Sequence, residues 1–155
     1  MRNTIIIFII SLIAVSCGKD KYTTSPQIKY KSVNPNALRS NIPTDQQQIP
    51  QLTIEVTDSE GDLGFVSGKD TAYVYIRTII NRQPDILVDS FIMPDISSVT
   101  TKNYQGDILI TPPFKRSNLP SPKTDTLTYE IYVKDFAKNK SNVITTGDPV
   151  YYIIP

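Results

Sequence analysis

The chain of 155 residues carries 16 lysines and arginines against 15 aspartates and glutamates, so its formal net charge is +1. Such a nearly neutral chain lacks the basic stretch that follows a phosphate backbone, which argues against nucleic-acid binding. It has no histidine and one cysteine. These absences exclude histidine-dependent catalytic triads, the usual histidine-containing zinc sites and intramolecular disulfides. We therefore expect no enzyme, and a single domain that packing alone stabilises.

The start of the chain has the pattern of a secretion signal. Arg2 precedes an apolar run, residues 5–15, that is too short to span a bilayer. The small residues Ala14 and Ser16 lie just before Cys17. This pattern resembles the lipobox of bacterial lipoproteins. The resemblance implies a signal peptide over residues 1–16, lipidation of Cys17 with acyl chains such as palmitate, and an outer-membrane anchor on the cell surface or the periplasmic face.

A polar tether, residues 17–27, follows the cysteine. Over residues 28–155 the apolar residues recur with period two in short segments broken by Pro, Gly, Asn and Asp, which predicts one all-β domain. The expected strands are 28–33, 51–57, 71–80, 86–93, 107–111, 127–134, 142–146 and 150–154. Seven or eight strands fit a two-sheet sandwich. The proline-rich segment 112–122 predicts an irregular crossing between the sheets.

Two segments resemble immunoglobulin-like bacterial domains. Residues 129–143, Tyr-Glu-Ile-Tyr-Val-Lys-Asp-Phe-Ala-Lys-Asn-Lys-Ser-Asn-Val, resemble the final hairpin of such domains. Together with residues 56–64, Val-Thr-Asp-Ser-Glu-Gly-Asp-Leu-Gly, they are similar to small uncharacterised lipoproteins of Bacteroidota. The resemblance implies an antiparallel immunoglobulin-like β-sandwich on a lipid anchor, and it supplies no substrate and no catalytic residue.

The sharpest local feature is an acidic loop in which Asp58, Glu60 and Asp62 recur at every second residue. Oxygen ligands in such a loop can wrap a hard cation such as Ca²⁺. In an immunoglobulin-like topology the loop before the last strand lies at the same end of the sandwich, so Asp135 is expected as a further ligand, with Asn139 near it. The loop therefore predicts a calcium site.

The same loop has a plainer interpretation. Asp, Ser, Glu and Gly are common in strand connections, where an aspartate such as Asp58 caps its own turn. Gly61 or Gly64 would then adopt the positive φ that the turn requires. Sequence alone leaves both interpretations open.

A second candidate site is aromatic. If Val74 and Ile76 face the core, Tyr73 and Tyr75 face outward, and Tyr132 lies outward on a neighbouring strand. Three outward tyrosines would form a platform for a sugar or a protein. The alternative is that these tyrosines simply suit a strand, or that the strand presents the opposite face.

We expect a lipid-anchored envelope module that binds or scaffolds, with the membrane and an unidentified protein or glycan as partners. One alternative is a structural subunit of a larger outer-membrane assembly that pairs through an exposed strand edge, for which residues 150–154 are the candidate. Another alternative is a carbohydrate-binding accessory lipoprotein. Calcium in the acidic loop is the only cofactor that the sequence indicates.

Overall fold

The computed structural model describes residues 22–40, 49–64, 71–94 and 102–155. Within these ranges the chain forms nine strands and no helix, so the predicted all-β class is confirmed. The strands are β1 Gln27–Asn34, β2 Ala37–Arg39, β3 Gln51–Asp58, β4 Tyr73–Ile80, β5 Gln83–Ile92, β6 Tyr104–Ile110, β7 Lys123–Lys134, β8 Ile144–Thr145 and β9 Val150–Ile154.

The predicted signal segment and Cys17 lie outside the described residues, as does the first part of the tether. In the described part of the chain, no helix has the length and apolar character that crossing a bilayer requires.

The strands form two sheets with one shared core. The smaller sheet has the order β1-β3-β6, and the larger has the order β2-β9-β7-β4-β5, with β8 paired to β7. The pair β2–β9 is parallel, and the other described strand pairs are antiparallel. Buried residues of both sheets belong to a single apolar cluster, which gives a sandwich-like arrangement.

Period-two alternation explains how each sheet meets that core. On β3, Leu52, Ile54 and Val56 are fully buried, whereas the residues between them are partly exposed. On β7 the buried set includes Leu127 and Ile131. Because successive strand residues point to opposite faces, each strand buries one face and leaves the other for solvent. Full burial of a Leu or Ile side chain contributes about 1.5–3 kcal/mol.

A two-residue turn joins β4 to β5. Asn81 and Arg82 have φ values of 50° and 69°, the left-handed conformation that tight hairpins favour. The turn lets β5 begin at Gln83, three residues earlier than expected, and Pro84 is tolerated because β5 ends the larger sheet.

The expected crossing is present, since residues 111–122 join β6 of the smaller sheet to β7 of the larger one without a strand. The expectation that residues 150–154 provide a free edge is wrong. β9 lies inside the larger sheet, with β7 on one side and β2 on the other. The reason is β2, a three-residue strand absent from the sequence prediction, which pairs from Ala37 to Arg39 with residues 151–153.

Candidate functional site

Two connections meet at one end of the sandwich. Asp58 is the last residue of β3, Asp62 lies in the loop that follows, and the turn after β7 begins at Asp135. The backbone N–H of Phe136 donates to the carbonyl oxygen of Asp62 at 3.0 Å and joins the two connections. One carboxylate oxygen from each aspartate lies within 4.8 Å of the other two. We call these three residues the acidic cluster. Glu60, also expected as a ligand, is exposed and lies outside this group.

Asp58 is fully buried at the end of β3. Its Oδ2 accepts hydrogen bonds from the backbone N–H groups of Glu60, at 3.2 Å, and Gly61, at 2.6 Å. Gly61 and Gly64 both have positive φ, 70° and 96°. The ordinary turn expected from the sequence is therefore present, but it uses only one carboxylate oxygen. Asp58 Oδ1 is buried and has no hydrogen-bond partner.

Asp135 is also fully buried. Its Oδ1 accepts from the backbone N–H of Asn139 at 2.7 Å, and its Oδ2 accepts from Asn139 Nδ2 at 2.9 Å. Asn139 therefore orients Asp135 within the turn. Asp62 is half-buried, yet its Oδ1 is enclosed and has no hydrogen-bond partner.

Burial raises the pKa of Asp58 to about 6, and the nearby Asp62 carboxylate adds to the rise, while the Gly61 N–H opposes it. Burial also raises the pKa of Asp135, against the hydrogen bonds from Asn139. Among the described residues, no lysine or arginine nitrogen lies within 4.0 Å of the three carboxylates. Such a group of oxygens can hold a hard cation or share a proton.

The outward face of the larger sheet carries the three predicted tyrosines. Val74 and Ile76 are buried in the core, so Tyr73 and Tyr75 lie on the opposite face. Tyr75 is paired with Tyr132 of β7, and their rings stack with centroids 4.7 Å apart and planes 8° apart. The ring of Tyr73 lies 6.2 Å from that of Tyr75.

Three lysines, which the sequence analysis did not identify, cover these rings. Lys134 Nζ lies 5.5 Å from the centroid of Tyr75, Lys138 Nζ 5.8 Å from Tyr73, and Lys140 Nζ 4.1 Å from Tyr132. We call these six residues the tyrosine–lysine face. The chain returns after β7 so that Lys140 pairs with Lys134 through an isolated bridge.

The pockets of the described residues lie elsewhere or border this face. A pocket of about 150 Å³ beside Tyr132 and Lys140 also contacts the ion pair of Arg77 and Glu130. A larger pocket of about 540 Å³ lies by the β4–β5 turn. There Lys115 pairs with Asp85 at 2.7 Å, so the charge of that lysine is neutralised within the chain.

No protein-family model, curated protein or solved structure matches this chain. No activity is therefore transferred from a relative, and the function is inferred from the residues of the chain itself.

Proposed function

We propose that the protein is a lipid-anchored module of the bacterial cell envelope that binds an acidic polysaccharide and has no catalytic activity. The lipobox-like sequence before Cys17 supports an outer-membrane anchor, on the cell surface or the periplasmic face. The two packed sheets are compatible with the immunoglobulin-like architecture, which remains part of this proposal.

One observation carries the binding proposal: in the described part of the chain, the lysines of the tyrosine–lysine face form no ion pair. Within the described residues, no carboxylate lies within 4.0 Å of Lys134, Lys138 or Lys140. Lys134 and Lys140 lie next to each other, and like charges directly opposite are unfavourable on a sheet. An anionic ligand would relieve this repulsion.

The tyrosines support the same ligand class by fixing the lysines rather than by stacking sugars. Tyr75 already has Tyr132 against its ring and Lys134 over it, so a sugar would have to displace existing contacts. Ammonium groups held over aromatic rings lose less conformational entropy when an anion binds. A face that carries three such lysines suits a chain of repeated acidic units.

The test is binding of polygalacturonate to the full chain purified in detergent from expressing bacteria, measured by biolayer interferometry. We expect binding that weakens as salt rises, because exposed charges are screened. Lys134→Gln together with Lys140→Gln should weaken binding about tenfold, which corresponds to about 1.4 kcal/mol.

The matched control is Lys31→Gln on the smaller sheet, where Lys31 is already paired with Glu55 and Asp107. This variant should bind polygalacturonate as the unchanged protein does. Neutral dextran should not bind. Absence of polygalacturonate binding, equal loss with Lys31→Gln, or equally tight binding of polyglutamate would contradict the proposal.

A further inference from the structure

We infer that Asp58, Asp62 and Asp135 form a calcium-binding site at the loop end of the sandwich. This inference goes beyond polysaccharide binding, because it concerns other residues and another ligand.

The cluster has the spacing of a coordination shell. Ca²⁺ binds oxygens at about 2.4 Å, so two of its ligands are at most about 4.8 Å apart. Carboxylate oxygens of the three aspartates lie within 4.8 Å of one another. A cation centred among three oxygens that are at most 4.8 Å apart lies at most about 2.8 Å from each, so a shift of a few tenths of an ångström brings all three carboxylates into contact with it.

Unpartnered oxygens are the second and independent observation. Asp58 is fully buried, and its Oδ1 has no hydrogen-bond partner although its Oδ2 has two. Asp62 Oδ1 is enclosed and unpartnered as well. Buried polar atoms nearly always have partners, so two unpartnered carboxylate oxygens at one place indicate a ligand that completes them.

Asp125 shows how this chain compensates a buried aspartate that is purely structural. Its oxygens accept from Ser117 N at 2.8 Å, Ser117 Oγ at 2.6 Å and Asn81 Nδ2 at 2.9 Å. Lys123 Nζ adds a positive charge at 3.5 Å. No lysine or arginine of the described chain forms an ion pair with the acidic cluster. The negative charge of the cluster can therefore be neutralised by a cation from solution.

The nearest basic group does not fill this role. Lys138 is electrostatically coupled to Asp135, but its Nζ donates to the carbonyl oxygen of Thr71 at 3.1 Å and forms no ion pair with the cluster. Ca²⁺ fits better than Mg²⁺, because it accepts six to eight oxygens in irregular geometry whereas Mg²⁺ demands a near-ideal octahedron.

Calcium at this position would join the two sheets. Asp58 ends β3 of the smaller sheet and Asp62 follows it, whereas Asp135 follows β7 of the larger sheet. The metal would add to the backbone hydrogen bond from Phe136 to Asp62. A ligand that binds the folded state alone raises the melting temperature.

The experiment is thermal unfolding of the full chain, purified in detergent and freed of metal, followed by circular dichroism with and without CaCl₂ at neutral pH. We expect the midpoint to rise by about 5–10 °C when calcium exceeds its Kd about a hundredfold. Calorimetric titration should give one calcium per chain, and equal MgCl₂ should give a smaller rise.

The informative variant is Asp62→Asn, because Asp62 is half-buried and its side chain does not cap the turn. It should fold without calcium and lose the calcium-dependent rise. The matched control Glu60→Gln changes an exposed acid of the same loop and should keep the full rise. The inference is overturned if the unchanged protein shows no rise with calcium, as a shared proton would give, or if Asp62→Asn shows the same rise. Neither readout depends on polysaccharide binding.

Discussion

Asp125 is a buried charge whose pKa is set by opposing effects. Burial alone would raise the pKa of this carboxyl, but hydrogen bonds from Ser117 and Asn81 and the charge of Lys123 outweigh burial and hold the pKa below its ordinary value. A carboxyl with a lowered pKa stabilises the fold at pH values above its unfolded pKa, and this contribution is lost as the pH falls through the folded pKa.

Asp125→Asn should therefore lower the free energy of unfolding at neutral pH by about 2–4 kcal/mol, because an amide group would face donors that need an acceptor. The difference from the unchanged protein should shrink as the pH falls below about 4, the ordinary range of an aspartate. Urea unfolding at neutral and acidic pH measures both. Asp107→Asn is the control, since Asp107 forms an exposed pair with Lys31 that is worth about 0–1 kcal/mol. An unchanged difference at low pH would contradict this account.

Sequence could predict part of the acidic cluster, and geometry explains the remainder. Asp58, Asp62 and Asp135 were predictable together because the topology places their connections at one end of the sandwich. Glu60 was not, because two-residue spacing aligns side chains in a strand but not in a turn. The positive φ of Gly61 redirects the backbone directly after Glu60, and the side chain of Glu60 is exposed to solvent.

The positions of the lysines on the tyrosine–lysine face were harder to predict from the sequence than the acidic cluster. Lys134 lies beside Tyr73 through strand register alone. Lys138 and Lys140 reach the face because the chain turns back after Asp135, with Lys138 itself at φ 68°. That backbone conformation is not encoded in any pattern of apolar residues, so the outward rings were predictable from the sequence and the lysines over them were not.

At the scale of single strands, Gly106 of β6 gives a sharp prediction. A Cβ added there would lie 2.8 Å from Cζ of Tyr104 and still closer to its hydroxyl oxygen. Tyr104 is 7% exposed, so moving its ring would expose apolar surface. The strand gain from replacing glycine by alanine is only about 0.5–1 kcal/mol. The cost of the steric clash should therefore exceed this gain.

Gly106→Ala should lower the free energy of unfolding by about 1–2 kcal/mol, measured by urea denaturation. Gly147→Ala is the control, because its Cβ would lie 3.5 Å from the Tyr30 ring, an ordinary contact. In a Tyr104→Ala background, Gly106→Ala should cost less than about 0.5 kcal/mol. An undiminished cost there would show that the Tyr104 ring is not the cause.

Strand prediction succeeded where apolar residues alternate and failed where polar residues occupy strand positions. The start of β7 was missed because residues 123–126 read Lys-Thr-Asp-Thr, and the inward position is taken by Asp125 instead of an apolar residue. β2 was missed because it has three residues, and of these only Leu38 is half-buried. Both failures arise because tertiary partners, rather than local pattern, determine these segments.

β9 joins parts of the larger sheet that are distant in sequence. Its residues Val150, Tyr152 and Ile154 are buried, and it separates β7 from β2. Their burial contributes about 5 kcal/mol or more, which is comparable to the total stability of a typical domain.

Deletion of residues 150–155 should therefore abolish cooperative thermal unfolding, measured by circular dichroism. Tyr151→Ser is the control on the same strand, because Tyr151 is 41% exposed and its loss should change stability by about 0.5 kcal/mol or less. A truncated chain that still unfolds cooperatively near the original midpoint would show that β9 is dispensable.

The position of β9 also sets the order in which the molecule can form. The chain is synthesised from its amino end, yet β2, Ala37–Arg39, can pair only after residues 151–153 have been made. Until those residues are available, β2 has no neighbour and the early part of β7 is unpaired on that side. Pairing between such distant segments is slow, on the order of milliseconds to seconds in β-rich domains. The larger sheet is therefore completed only after synthesis has reached β9, and until then two strands made earlier, β2 and β7, lack the neighbour that lies between them.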